Sequence, residues 1–169
     1  MNDKKPAKFF NKYETTYYDF FNLRFETLAD VTNAFSEAIG REKAIDIVEK
    51  FSEEKSIEMI KKIVSQNPIT NFNDFKKLFL SQMKSEFMNN AVTFTIKENT
   101  ENKLEFKITE CLWATAHKKM GETELGFCAF CKPDYAMAKT YHPKIKLTRT
   151  KTLMQGDEFC NHTYTWEDE

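Results

Sequence analysis

The sequence has no surplus of charge: 25 Lys and Arg stand against 26 Asp and Glu, leaving a net charge of -1. No bulk field draws such a chain to nucleic acid or to an anionic membrane, and neither is expected as a partner. It has no run of about 20 apolar residues, the length a spanning helix needs. The opening stretch MNDKKPAKFF is polar and basic, and no apolar segment with a small-residue cleavage site follows it. Export by a signal peptide is therefore not expected, and a cytoplasmic protein is. Cysteine is also sparse, at four residues. In a cytosolic chain these read as buried thiols, metal ligands or reactive groups before they read as disulfides. No internal repeat or low-complexity linker interrupts the sequence. What is abundant is apolar and aromatic, 41% and 14% of the chain. That suits one domain over residues 1–169 with a real core, mainly helical to residue 90 and sheet-containing from 91 onward.

The helical part announces itself by period. Phe9, Phe10, Tyr13, Tyr17, Phe20, Phe21 and Phe25 recur at spacings of three and four, a stripe expected to fill a core rather than to serve a membrane or a partner. A second helix is expected from Arg41, just after Gly40. Ala44, Ile45, Val48 and Phe51 share one face, and Ile57, Ile60, Ile63 and Val64 continue it until Pro68 forbids more. Asn71 offers an oxygen to start a third helix, lined by Phe75, Leu78, Phe79, Met83 and Phe87.

At Val92 the period drops to two. Val92, Phe94 and Ile96 alternate with polar residues, and Leu104, Phe106 and Ile108 repeat the pattern after a polar turn, which predicts a hairpin. LWATAHKKM after Cys111 reads as a short helix stopped by Gly121, and more helix is expected from Glu122 to Tyr141 around Pro133. Strands from Lys144 to Leu153 and from Glu158 to Trp166, joined by a tight turn over Met154 to Asp157, complete an α+β fold. Amino-terminal helices would pack on a four-stranded antiparallel sheet, with helices inserted between strands two and three.

Strand parity selects the candidate chemistry. Ile145, Leu147, Arg149, Lys151 and Leu153 share a face, so Arg149 points inward and needs an acidic partner. Asp134, Asp157 or the carboxylate of a bound small molecule would serve. On the last strand Cys160, His162, Tyr164 and Trp166 share a face. Cys128 and Cys131 form a CxxC pair which, with Cys160 and His162, has the donors for a divalent metal such as zinc, although only one pair has finger-like spacing. A thioredoxin-type redox role is not expected, because the alternating βαβ context is absent.

An ordered series of residues then carries a resemblance: Cys111; Glu124 to Gly126; Cys131 and Asp134 in CKPD; Pro143 and Ile145; Arg149 and Thr150; and Gly156, Asp157 and Cys160 in GDEFC. Over CLWATAHKKMGETELGFCAFCKPDYAMAKTYHPKIKLTRTKTLMQGDEFCNHTYTW the chain resembles the L-2-amino-thiazoline-4-carboxylic acid hydrolase family. Asn161 stands where that pattern leads one to expect Asp, and Cys128 and His162 are peculiar to this sequence. The resemblance implies a hydrolase opening a C-N bond of a cyclic isothiourea to give a carbamoylated cysteine. Arg149 would anchor the substrate carboxylate, and Asp134 or Asp157 would act as base or orienting group. Cys111, Cys131 or Cys160 would supply a nucleophile or a metal ligand. The order of elements also looks like the small-molecule-binding domain of the 4-vinyl-reductase type, which binds without turnover. A third class, a structural or dimerising domain, would expose the aromatic amino-terminal helix, and a homodimer is compatible with any of the three.

Overall fold

The computed structural model describes residues 14–167. Phe9, Phe10 and Tyr13 of the aromatic stripe lie outside them. The chain is an α+β protein. Helices α1 (Tyr17–Ile39), α2 (Arg41–Gln66), α3 (Phe72–Met83) and α4 (Glu86–Ala91) precede strands β1 (Val92–Asn99) and β2 (Lys103–Cys111). Then come α5 (Leu112–Met120), α6 (Thr123–Gly126), a π-helical turn (Phe127–Cys131) and α7 (Pro133–Tyr141). Strands β3 (Ile145–Thr148) and β4 (Cys160–Trp166) close the fold. The sheet is antiparallel throughout, in the order β1-β2-β4-β3.

Local chemistry sets the boundaries. The Thr16 hydroxyl accepts the Asp19 N–H at 3.0 Å to open α1, and Gly40, at φ 91°, takes the left-handed turn that lets α2 start at once. Asn71 caps α3 by accepting the Asp74 N–H at 3.0 Å, as its position predicts. The third helix stops at Met83 rather than running through Phe87. Ser85 caps a new helix by accepting the Met88 N–H, and this turns Phe87 away from the face of Phe75 and Phe79 to stand half-exposed beside Phe21.

The sheet is one-sided. Leu104, Phe106 and Ile108 of β2, Ile145 and Leu147 of β3, and Cys160, His162 and Tyr164 of β4 are buried. The intervening Lys103, Glu105, Lys146 and Thr163 face outward, the alternation expected of an antiparallel sheet with one wet face. Ile60 of α2, Phe72 and Phe75 of α3, and Ala138 and Tyr141 of α7 cover the inner face. Phe21 and Phe25 of α1 pack instead on Ala116 of α5, so the aromatic stripe fills the core at these two positions, while Tyr17 is half-buried and Phe20 is exposed. Among the described residues no helix is long and apolar enough to cross a membrane.

Two connections differ from the expected ones. The third strand ends at Thr148, because the Asn161 side chain takes up the two amides after Arg149: its Oδ1 accepts the N–H groups of Thr150 and Lys151 at 3.0 and 2.7 Å. Parity thus holds through Arg149 and fails at Lys151, which is exposed. The Gly-Asp turn is no tight hairpin. It follows a 3-10 turn (Leu153–Gln155) in a longer loop, where Gly156 has φ 102° and Asp157 accepts the Thr152 N–H at 2.7 Å.

Gly126 has ordinary helical torsions and is there for closeness instead. A Cβ at this position would stand 2.6 Å from Cγ of His117 and 2.7 Å from the Met154 sulfur. Met154 can swing, but the fully buried His117 ring cannot. Gly126→Ala is therefore expected to lower stability by about 1–3 kcal/mol in urea titration, although Ala is the better helix former. An unchanged midpoint would show that the contact is slack.

Candidate functional site

Of the inserted helices α7 packs on β3 and on Tyr164 of β4, and the π-helical turn that precedes it shapes what is presented there. Its defining bond joins the Lys132 N–H to the Phe127 carbonyl at 2.9 Å. In an α-helix residues three apart are neighbours on one face, whereas the wider π turn rotates them apart. Cys128 consequently points toward Ala29, Ile45 and Glu49, and Cys131 toward the sheet. Next to the turn, Pro133 supplies no N–H and the Tyr135 N–H bonds to Lys132 at 3.2 Å. The Cys131 carbonyl is left for another donor.

That donor is Arg149. Its guanidinium is 1% exposed, and one terminal nitrogen gives a hydrogen bond to the Cys131 carbonyl at 2.8 Å. The other donates to Asp134 Oδ2 at 2.8 Å and lies 3.0 Å from His162 Nε2. A guanidinium only donates, so His162 Nε2 accepts and its ring proton sits on Nδ1. Asp134 Oδ2 is also 3.5 Å from the imidazole. Phe127 and Tyr135 lie over the guanidinium at 5.9 and 5.2 Å. Two buried atoms of the cluster have no protein partner, Arg149 Nε and His162 Nδ1. Burial acts against the guanidinium charge, but Asp134 outweighs it and holds the group protonated above its usual range.

Of the two carboxylates named for Arg149, Asp134 is the partner. Asp157 is engaged with the Thr152 amide in the loop. Asp134 retains 27% side-chain exposure, so the carboxylate of the cluster has access to water.

Cys131 gives its carbonyl to Arg149, Cys160 stands two residues before His162 on β4, and Cys111 packs with Cys160 in one apolar group. Burial governs all three thiols. It pushes Cys111 up to about 11 against the partial opposition of the Ala114 and Trp113 amides at the start of α5. Burial and Asp134 push Cys131 up further, and burial raises Cys160, whose sulfur accepts the Leu153 N–H at 3.1 Å. Cys128, the remaining member of the CxxC pair, is raised to about 11 by burial and Glu49 on the opposite side of the helix. The four-donor set Cys128, Cys131, Cys160 and His162 is therefore not gathered at one point. Among the described residues no group of three or more His, Cys, Asp or Glu is disposed to hold a metal.

Thiol reactivity follows from these shifts. Only the thiolate is nucleophilic, and a rise from 9.0 to about 11 lowers its population about a hundredfold at neutral pH. Cys111 in the native chain is expected to react with iodoacetamide about a hundredfold more slowly than in the unfolded chain, as read by timed labelling and peptide mass spectrometry. Fast native labelling would show that the thiol is activated.

Sequence reasoning passed over His117. It sits on α5, where a helical period marks it as one core position among several, but its ring is completely buried and its Nε2 has no partner. The only local signal was Gly126, whose missing side chain makes room for that ring.

The comparisons with known proteins bear on fold and family. No curated protein matches the chain. Among solved structures, the phenol-responsive sensory domain of the transcription activator PoxR, crystallised with phenol, has a TM-score of 0.50 at 12% identity over 83% of this chain and 73% of that one. Subunit 3 of a trafficking protein particle complex from Naegleria fowleri, covalently bound to palmitic acid, has a TM-score of 0.50 at 10% identity, covering 89% and 95%. At such identities these likenesses speak to fold alone. The sequence match is more specific: residues 22–164, which include every member of the Arg149 cluster, match the L-2-amino-thiazoline-4-carboxylic acid hydrolase family, and the chain belongs to that family.

Proposed function

We propose that the protein hydrolyses a cyclic isothiourea bearing a carboxylate, of the 2-amino-thiazoline-4-carboxylate type, at the Arg149–Asp134–His162 cluster. The observation that carries this reading is a buried guanidinium, Arg149, paired with a solvent-reaching carboxylate, Asp134, both at positions of the family pattern. Opening the ring requires an oxygen nucleophile at the carbon between sulfur and nitrogen, and a proton for the departing ring nitrogen. The raised thiols favour water over a cysteine as the attacking group.

In this mechanism Asp134 takes a proton from water as its oxygen bonds to that carbon. The carbon–ring nitrogen bond then breaks, both protons of the water end on that nitrogen as it leaves as an amine, the water oxygen stays as the carbamoyl carbonyl, and the product is a carbamoylated cysteine. Arg149 pairs with Asp134 at 2.8 Å and orients it. Its unpaired Nε–H supports the role of anchor for the ring carboxylate, with the exposed Tyr135 as the cover that must move aside. The neutral thiols of Cys111, Cys131 and Cys160 keep the site apolar and are spared as nucleophiles.

The test is to incubate the purified chain with L-2-amino-thiazoline-4-carboxylate, with and without chelator and thiol blocker, and to follow ring opening by mass spectrometry. Turnover that survives both additions is expected. Abolition by the thiol blocker, with the fold intact, would return the nucleophile to a cysteine. A non-catalytic binding module of the 4-vinyl-reductase type predicts binding without product, a reading favoured by the aromatic cleft beside α1 and by the fold shared with a phenol-responsive domain.

A further inference from the structure

A cleft of about 150 Å³ opens where α1 meets α4 and α5. Phe20, Phe21 and Phe25 of α1 line it on one side, and Phe87, Trp113 and Phe130 on the other. Phe21 meets Trp113 edge to face at 4.7 Å and stacks on Phe87 at 5.7 Å. A dry apolar cavity of roughly 150 Å³ is large enough for one benzene ring. Its rim is apolar as well: Phe20 and Phe87 keep 42% and 40% of their surface exposed. Leu23, one helical turn on from Phe20, extends the same exposed patch. A contiguous apolar patch of this kind marks a contact surface.

The chain enters α1 at this rim. Tyr17 is the first residue of the helix, and its ring lies 6.2 Å from that of Phe87. Immediately upstream, the segment 1–13 carries an adjacent aromatic pair, Phe9 and Phe10. An extended chain covers about 3.3 Å per residue, so Phe10 can stand as far as roughly 23 Å from Tyr17. The cleft lies along α1 between Tyr17 and Phe25, a rise of roughly 12 Å at about 1.5 Å per residue. The pair therefore reaches the whole cleft while the Thr16 cap stays in place. A short tether also keeps the pair at a high effective concentration, so its rings compete well against any free molecule.

We propose that the cleft is a docking site for this chain's own Phe9–Phe10 pair. The segment doubles back from Thr16 along α1, seats one ring between Phe21 and Trp113, and lays the other over Phe20 and Leu23. The volume matches a single ring, and the aromatic walls hold it by edge and face contacts. The exposed Arg24 at the mouth suits an aromatic occupant, because a ring face attracts a guanidinium. This docking does not rest on the hydrolytic reading. It closes the cleft to a free aromatic molecule, the opposite of what a binding module needs there.

The test uses the full chain carrying Trp166→Phe, which leaves Trp113 as the sole tryptophan. It is compared with the same chain carrying Phe9→Ser and Phe10→Ser, substitutions that leave residues 14–167 otherwise untouched. Loss of the pair is expected to raise acrylamide quenching of Trp113 at least severalfold and to shift its emission to the red. The melting temperature should fall by about 2–4 °C. Nuclear Overhauser contacts between the Trp113 indole and the Phe9 or Phe10 ring are expected in the chain that keeps the pair, with unchanged relative intensity on dilution. Equal quenching with and without the pair would overturn the proposal. So would contacts that fade on dilution, which would put a second copy in the cleft, or phenol binding equally well to both chains, which would leave the cleft open to a free ligand.

Discussion

Arg149→Ala is expected to lower folding stability by about 3 kcal/mol, at the lower end of the range for breaking a buried ion pair. The guanidinium is almost wholly buried and serves three acceptors: Asp134, His162 Nε2 and the Cys131 carbonyl. Removing it strands the last two without donors. The loss stays near the lower bound because Asp134 keeps access to water and can be rehydrated. For a chain of this size the melting temperature should fall by about 6–12 °C. Arg149→Lys should recover part of the stability, since it restores a charge for Asp134 but not the fork that also reaches Cys131 and His162. If calorimetry found the alanine variant as stable as the parent, the cluster would not be the organising contact between α7 and the sheet.

The second large effect concerns chemistry. Asp134→Asn keeps an oxygen near Arg149 but removes the base, and kcat for ring opening should drop by about 10²–10⁴-fold. KM should change far less, because the proposed carboxylate anchor is on Arg149. The Asp157→Asn change offers a contrast. That side chain binds the Thr152 amide in the loop, so its variant should lose some stability and little turnover. Equal losses of kcat in the two variants would mean that the base has been assigned to the wrong carboxylate.

Much of this site was legible in the sequence, for identifiable reasons. Alternation carries its own parity, so Ile145 and Leu147 on the inner face were enough to turn Arg149 inward. An inward guanidinium then demanded an acid, and Asp134 was one of two within reach. The same logic set Cys160, His162 and Tyr164 on one buried face.

What stayed hidden depends on tertiary geometry. A run of helical residues gives no sign that a π turn will insert at Phe127–Cys131, and that turn separates Cys128 from Cys131 and dissolves the four-donor metal set. The end of β3 was equally unreadable, since it results from a side chain on the neighbouring strand: Asn161 occupies the amides of Thr150 and Lys151. Asn161 stands where an acidic residue was expected, and its role here is to hold the loop that follows Arg149. Burial also changed the meaning of the cysteines. Sequence can mark Cys111, Cys131 and Cys160 as candidate nucleophiles or ligands, but only their surroundings show the burial that pushes each thiol away from the thiolate form.

Hydrolysis of a carboxylated cyclic isothiourea at the Arg149–Asp134–His162 cluster is the proposed activity. It is tested most directly by following L-2-amino-thiazoline-4-carboxylate with the parent chain and the folded Asp134→Asn variant side by side, using mass spectrometry. A carbamoylated cysteine is expected from the parent and almost none from the variant. A folded parent chain that yields no ring-opened product, or a variant that yields as much as the parent, would contradict it.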